Sequence, residues 1–213
     1  MKKNTAQEKF WSSAFGRDYS ERNNFTNPKA LDDFYVKKYG LARSKLNQNF
    51  LSGLKIENIL EVGCNIGNQL ALLQKQGYKN LYGVEIQDYA VERAKELTKN
   101  INIIKGSVFD LPFKDGYFDL VFTADVLIHI NPKDIKRALR EIYRVSKKYI
   151  WGQEYFSEKY QPIVYRGNKN CLWKTDFAKL YKNTFPKLKL LKKAKLPYLE
   201  NSNLDEMFLF KKI

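Results

Sequence analysis

Four side chains carry the chemistry this sequence offers: Glu61, Glu85, Asp125 and His129. Each acid closes a short apolar run: Ile59-Leu60-Glu61-Val62, Leu81-Tyr82-Gly83-Val84-Glu85 and Leu120-Val121-Phe122-Thr123-Ala124-Asp125. Glu61 precedes a turn bearing Gly63 and Gly67. Such a turn lets backbone approach a ligand closely and leaves the first N–H groups of the following helix free as donors. An acid two residues before the first glycine suits a ligand with a cationic head better than a pyrophosphate. The dinucleotide fingerprint Gly-x-Gly-x-x-Gly is not met, because Asn65 stands where its second glycine would be. Glu85 lies about twenty residues beyond the turn, where a carboxylate can accept from both vicinal hydroxyls of a ribose. Each such charge-assisted bond is worth about 1.5–3 kcal/mol. Asp125 and His129, at and just past the end of the third run, could take a proton from a nucleophile. His129 is the only histidine, and a lone histidine also serves as a packing or capping residue.

The elements that must hold these groups alternate. The Glu61 strand feeds a helix with Leu70, Leu72 and Leu73 on its inner side, and Gly77 stops it. Leu81 to Ile86 is the second strand; Asp88 is expected to cap a helix from Tyr89 to Lys99; Ile101 to Ile104 is the third strand. The run Phe118 to Ala124 reads as a central strand buried on both faces, with Thr123, Ala124 and Asp125 at its C-terminal edge, where open α/β sheets bind ligands. A helix from Lys133 to Val145 starts at Asn131-Pro132, and a fifth strand covers Tyr149 to Gly152. A helix over Thr175 to Phe185 and strands over Leu188 to Lys192 and Met207 to Phe210 close the chain. The alternation predicts an α/β fold, a Rossmann-like doubly wound sheet of about seven mostly parallel strands. Residues 1–50 read as a helical N-terminal cap, with helices over Gln7 to Phe15 and Leu31 to Phe50, poised to act as a lid on an α/β core over 51–213. One domain, 1–213, is expected.

With 213 residues, 44% hydrophobic and 29% charged, the chain has globular values. No apolar leader follows the first lysines, and the Leu120 to Ile130 run is too short and too interrupted to span a bilayer, so no membrane partner is expected. Cys64 and Cys171 form neither a close pair nor a metal-ligand spacing, which points to reduced thiols in the cytoplasm and to no metal. The net charge of +15 raises the possibility of nucleic acid. Lysines are nonetheless spread through the chain, and a generally basic surface attracts an acidic small molecule equally well.

The spacing Glu61-x-Gly63-x-Asn65-x-Gly67 resembles motif I of the class I S-adenosylmethionine-dependent methyltransferases, usually Glu/Asp-x-Gly-x-Gly-x-Gly. Asn65 is a mild departure, since Asn tolerates left-handed backbone. Phe118-Asp119-Leu120-Val121 is similar to the fourth strand of these enzymes. The resemblance implies S-adenosyl-L-methionine as cofactor, held by Glu61, Gly63, Cys64, Asn65, Gly67, Asn68, Glu85, Ile86, Ser107, Val108, Phe109, Thr123 and Ala124. Ser107 stands where many members carry an Asp for the adenine amine, so that contact falls to Ser107, the Val108 backbone or Asp110. A closer resemblance is to the pseudaminic acid biosynthesis-associated methylases. It rests on Glu8-Lys9-Phe10-Trp11, Phe15-Gly16-x-Asp18-Tyr19-x-x-Arg22-Asn23, Gly63-x-Asn65-Ile66-Gly67, Val126 to Pro132, Glu154-Tyr155-Phe156, Tyr165-Arg166-Gly167 and Asp176-Phe177-Ala178. That clade implies methyl transfer to a nonulosonic acid sugar, or its nucleotide-activated form, in surface glycan synthesis. Its carboxylate would meet a basic cleft, with Arg166 as bidentate clamp, Arg22 as a second candidate, and Glu154, Tyr155 and Tyr165 nearby. His129 or Asp125 would serve as base for a hydroxyl acceptor. The rival readings are an RNA or protein methyltransferase, and a cofactor-binding protein without turnover.

Overall fold

In the computed structural model, which describes residues 4–25 and 27–213, a seven-stranded sheet runs through the molecule. Residues 1–3 and 26 of the expected cap lie outside the described residues. Strand order explains where the site forms. Strands β1 (Asn58–Val62), β2 (Asn80–Glu85), β3 (Asn102–Lys105), β4 (Phe118–Ala124) and β5 (Ser146–Tyr155) are mutually parallel in the order β3-β2-β1-β4-β5. The order reverses between β1 and β4, so the chain leaves a crevice at their C-terminal ends. A two-stranded ladder, β6 (Gln161–Pro162) with β7 (Trp173–Lys174), stands apart from the sheet. Two antiparallel strands, β8 (Lys189–Pro197) and β9 (Leu204–Lys211), extend the sheet past β5. The exposed edge strand β8 carries Lys189, Lys192, Lys193 and Lys195, charges that keep an open edge from pairing with another chain.

Alternation along the strands separates two apolar layers. Leu60, Val62 and Val121 face α7 (Ile135–Val145) and α8 (Phe177–Thr184). Ile59, Leu120, Phe122 and Trp151 face the opposite layer, built by α3 (Pro28–Tyr39), α4 (Arg43–Leu51), α5 (Asn68–Lys75) and α6 (Asp88–Leu97). The expected cap therefore divides. Leu31, Tyr35, Tyr39, Leu46, Phe50 and Leu51 bury themselves against the sheet, while α1 (Ala6–Trp11), α2 (Ala14–Arg22) and the segment after them lie over the crevice, which α3 also lines through Leu31, Phe34 and Tyr35.

Several boundaries differ from the sequence reading for local reasons. The single helix expected over Leu31 to Phe50 is two, because Gly40 adopts φ 75° and ends α3 with a left-handed cap. Ser12 and Ser13 likewise split Gln7 to Phe15, Ser13 capping α2 through Phe15 N–H. Gln87, not Asp88, caps α6: its side chain accepts from Tyr89 N–H, and Asp88 sits in the first turn. Asn131 accepts from Lys133 N–H, but the helix proper starts at Ile135. The last two strands and β5 each run several residues longer than their apolar cores, since ladder hydrogen bonds continue into Lys-rich and polar stretches.

Candidate active site

The turn after β1 is shaped by three left-handed residues, Gly63 (φ 73°), Asn65 (φ 48°) and Gly67 (φ 83°). Asn65 thus adopts the backbone its side chain tolerates. At Gly63 a Cβ would come within 2.5 Å of Val126 Cγ2, so glycine is required for close packing as well as for conformation. Gly63 N–H and Cys64 N–H donate to Val84 O at 2.7 and 3.1 Å, which folds the turn across the end of β2. Glu85 locks it. Its Oε2 accepts from Asn65 N–H at 2.9 Å, and its Oε1 from Ile86 and Gln87 N–H at 2.8 and 2.9 Å. Burial raises the Glu85 pKa, and those three donors act in the opposite sense.

Above this turn lies a cavity of about 210 Å³, more than ten times the room one water needs. Gly63, Cys64, Asn65 and Asn68 line it from the turn, Glu85 and Ile86 from β2, and Ser107, Val108 and Phe109 from the loop after β3. Glu61, Ala124, Asp125 and His129 line it from β1, β4 and the 3-10 turn Leu127–His129. Glu61 and Glu85, the two strand-end acids, therefore share one crevice. Gly67 lies outside the lining and acts by capping α5. Thr123 also lies outside: it is buried on the other side of β4, where its hydroxyl donates to Glu154.

Polar atoms in this wall lack partners. Glu61 Oε2, Asp125 Oδ1, Asn65 Oδ1, Gln69 Oε1 and Trp11 Nε1 are buried with no hydrogen bond, and all five residues line the cavity. Buried groups left unpaired in a folded protein are rare and costly, so a cluster of four acceptors in one place marks a donor-rich ligand. Burial raises the Glu61 carboxyl well above the usual range; Arg43 opposes this and Glu85 adds to it. Asp125 holds a left-handed backbone, φ 57°, a strained position for a non-glycine residue. Its pKa is pushed up to about 7 by burial and then by Asp205, against Lys38 and Arg43. His129 is pulled down to about 4 by burial, so it is neutral at pH 7. Nδ1 of that neutral ring lies 2.8 Å from Cys171 O and must carry the proton, which leaves Nε2 as an acceptor. Near neutral pH His129 is thus in its basic form, and Asp125 is poised between its protonated and ionised forms.

The residues expected to bind substrate are elsewhere. Glu154 is fully buried behind the wall, accepting from Val126 and Ile128 N–H at 3.4 and 3.3 Å and bracing the turn that carries Asp125. Tyr155 packs against Tyr198, away from the cavity. Tyr165 comes nearest, its ring 5.7 Å from that of His129. Arg166 and Arg22 are exposed and outside the lining; Arg22 lies over the Phe15 ring at 6.0 Å. The expected basic cleft is absent: among the described residues lining the cavity there is no lysine or arginine.

Sequence reasoning passed over several groups that build the site. Trp11 and Tyr19 of the roof stand in edge contact at 5.2 Å, and Trp11 packs on His129 at 4.3 Å. Ser107 donates to Glu8 Oε1 at 2.6 Å, joining roof to wall. Gln87 Nε2 donates to Ser13 O at 2.8 Å, and Asn68 Nδ2 to Asn23 O at 2.9 Å. Glu8 and Trp11 were legible only as part of an N-terminal motif, and nothing in spacing alone singles out Gln87.

Residues 60–149 match the family model described as a methyltransferase domain. Over that stretch the chain is similar to methyltransferase domains. The chain is 30% identical over 97 residues to sterol 24-C-methyltransferase of Pneumocystis carinii (strain B80), a match covering 43% of this chain and 25% of that protein. It is 30% identical over 98 residues to norajmaline N-methyltransferase of Rauvolfia serpentina, covering 43% of this chain and 33% of the relative. These matches thus span a quarter to a third of the relatives' lengths. In fold, the chain is similar to Burkholderia thailandensis 1,6-didemethyltoxoflavin-N1-methyltransferase, a structure with bound 1,6-didemethyltoxoflavin and S-adenosylhomocysteine. The TM-score is 0.72 at 14% identity, over 100% of this chain and 92% of that one.

Proposed function

We propose that this chain transfers a methyl group from S-adenosylmethionine to a small molecule. The observation that carries this is the convergence of Glu61, Glu85 and the unpartnered acceptors on one cavity at the reversal of strand order. These residues fit the cofactor. Glu85 retains acceptor capacity toward ribose hydroxyls, Glu61 suits a cationic amino acid end, and Ser107, Val108 and Phe109 flank the space left for a base. When bound, the cofactor supplies a methyl carbon already made electrophilic by the sulfonium charge. The chain's own part is to hold the acceptor in line and to exclude water, and such positioning is worth about 7–11 kcal/mol. Asp125 and His129 Nε2 are the groups that accept a proton from the acceptor.

The two curated relatives and the toxoflavin enzyme are named for small molecules, methylated at carbon or at nitrogen, which supports an acceptor of that size. The sequence resemblance to the pseudaminic acid-associated methylases makes a nonulosonic acid sugar, free or nucleotide-activated, the acceptor we propose to test first. Both cysteines are free and buried, which supports a cytoplasmic setting.

Calorimetry with S-adenosylhomocysteine tests the reading. Wild type is expected to bind it with one-to-one stoichiometry, and Glu85→Gln to bind at least ten-fold more weakly, the loss of about one charge-assisted bond. Equal affinity in the two proteins removes the ribose role of Glu85. No binding by wild type removes the function.

A further inference from the structure

The charge of the cavity wall is one-sided: among described residues it contains Glu8, Glu61, Glu85 and Asp125 and no fixed cation. Two of these acids, Glu8 and Glu85, have hydrogen-bond partners. Glu8 accepts from Thr5 N–H and the Ser107 hydroxyl, at 2.7 and 2.6 Å. Glu85 accepts from three backbone N–H groups; Glu61, like Asp125, has an unpartnered carboxylate oxygen, but it stands beside Glu85 on the neighbouring strand and shares that side of the crevice.

Asp125 differs. It follows β4, across the reversal of strand order from Glu85, and its Oδ1 is buried without a partner. The nearby surroundings are aromatic. Trp11 and Tyr19 line the same space, and the Tyr19 hydroxyl feels the Asp125 charge. The cations that act on Asp125 do so from behind the wall. Lys38 is held 3.8 Å from Asp205 and lies 4.3 Å from the Tyr198 ring centre, and Arg43 is buried against Trp151 at 4.8 Å. A carboxylate in a space that aromatic rings also line attracts a cation through charge, and the ring quadrupoles add to it. An anion entering there meets like charge from several sides, with no partner to offset it.

We propose that the acceptor presents a basic nitrogen, an amine or amidine, to Asp125 beneath Trp11 and Tyr19, and that this nitrogen rather than a carboxylate selects the substrate. The inference rests on the methyltransferase reading and narrows it. An acidic amino sugar would enter amino end first, its carboxylate left toward the mouth. Before it can act as a nucleophile, the protonated nitrogen must lose a proton. Its N–H bond breaks, the electron pair stays on nitrogen, and the proton forms an O–H bond on the Asp125 carboxylate.

The test uses matched probes on the full chain, with and without S-adenosylhomocysteine: glucosamine, glucose and glucuronate, then benzylamine, benzyl alcohol and benzoate. Wild type is expected to bind each amine at least ten-fold more tightly than its neutral and anionic counterparts. Asp125→Asn, which keeps a side chain tolerant of left-handed backbone, is expected to reduce that preference below three-fold. Its affinity for S-adenosylhomocysteine should stay within three-fold of wild type. Glucuronate or benzoate binding as well as the amines overturns the inference. So does a loss of S-adenosylhomocysteine binding in Asp125→Asn as large as the loss of amine binding, which would give Asp125 to the cofactor's own amino group. Preference for amines without any S-adenosylhomocysteine binding upholds the amine site and removes the methyltransferase reading. Tight S-adenosylhomocysteine binding with a preference for anions does the reverse.

Discussion

Asp125, Glu154 and His129 sit close together in and behind one wall, and burial moves their titrations in opposite directions. Asp125 rises to about 7 and Glu154 to about 8, while His129 falls to about 4. A carboxyl whose pKa is raised on folding binds more protons in the native state, so its contribution declines as pH climbs to the folded value. The depressed histidine acts the other way, but only between its folded value and about 6.5. Between pH 6.5 and 8 only the acids titrate, and stability should fall by on the order of 1–2 kcal/mol. For a chain of this size that is a melting temperature roughly 2–8 °C lower at pH 8 than at pH 6.5. Thermal unfolding across this range checks it. Glu154→Gln should flatten the slope most, and a melting temperature that rises with pH contradicts the assignment. At this scale the sequence was readable where an identity has one use, as with the acids two residues before Gly63 and at the end of β2. It was misleading at Thr123 and Glu154. Both lie close to the site along the strand, yet alternation turns Thr123 away from the cavity, toward buried Glu154.

The first two helices form an element whose attachments are few and mostly polar. Glu8 to Ser107, Gln87 to Ser13, Asn68 to Asn23 and Gln7 to Asn170 fasten them across the cavity. Trp11, Phe15 and Tyr19 pack with one another and against the rings of His129 and Tyr165. By contrast α3 and α4 are part of an apolar layer and cannot move without exposing the sheet. A roof held this way belongs to the low-stability end of local opening, and a ligand beneath it must enter through that opening. Hydrogen exchange of backbone amides in α1 and α2 should be faster than in α3 and α4, and should slow at least ten-fold with saturating S-adenosylhomocysteine. Glu8→Ala removes the Thr5 capping box as well as the Ser107 bond. It should weaken S-adenosylhomocysteine binding about 3–10-fold, by depopulating the closed form. Exchange that ignores the ligand would make the roof static. The aromatic stripe near the N-terminus suggested a cover, but its extent was illegible. Periodicity shows that a helix has an apolar face and is silent on whether that face meets a sheet or a ligand.

Across the whole molecule, the net charge of +15 says little about the cavity, which carries the opposite sign. The alternating pattern of strands and helices announced the seven-stranded sheet. What it did not announce is a buried polar network that joins the α3/α4 layer to the far strands, because its members are distant in sequence and individually unremarkable. Arg43, 1% exposed, donates to Gln153 Oε1, to the Tyr35 hydroxyl at 3.0 Å and to Asn47 Oδ1 at 2.8 Å. Gln153 continues to the Tyr39 hydroxyl and Asp205. The same guanidinium opposes the upward shifts of Glu61 and Asp125, so one buried cation underwrites the charge of two site acids. Removing it leaves acceptors unpaired and negative charge uncompensated in the interior. Arg43→Ala should therefore cost about 3–5 kcal/mol in urea unfolding. Arg43→Lys should recover little of this, since an ammonium cannot reproduce the planar fork or its stacking on Trp151. Combining Arg43→Met with Glu61→Gln separates charge from packing. If compensation of Glu61 dominates, the double variant is more stable than the sum of the two single losses, by at least the 0.5 kcal/mol that coupled neighbours exceed. Strict additivity would leave Arg43 as a packing residue and detach the stability of the fold from the chemistry of its site.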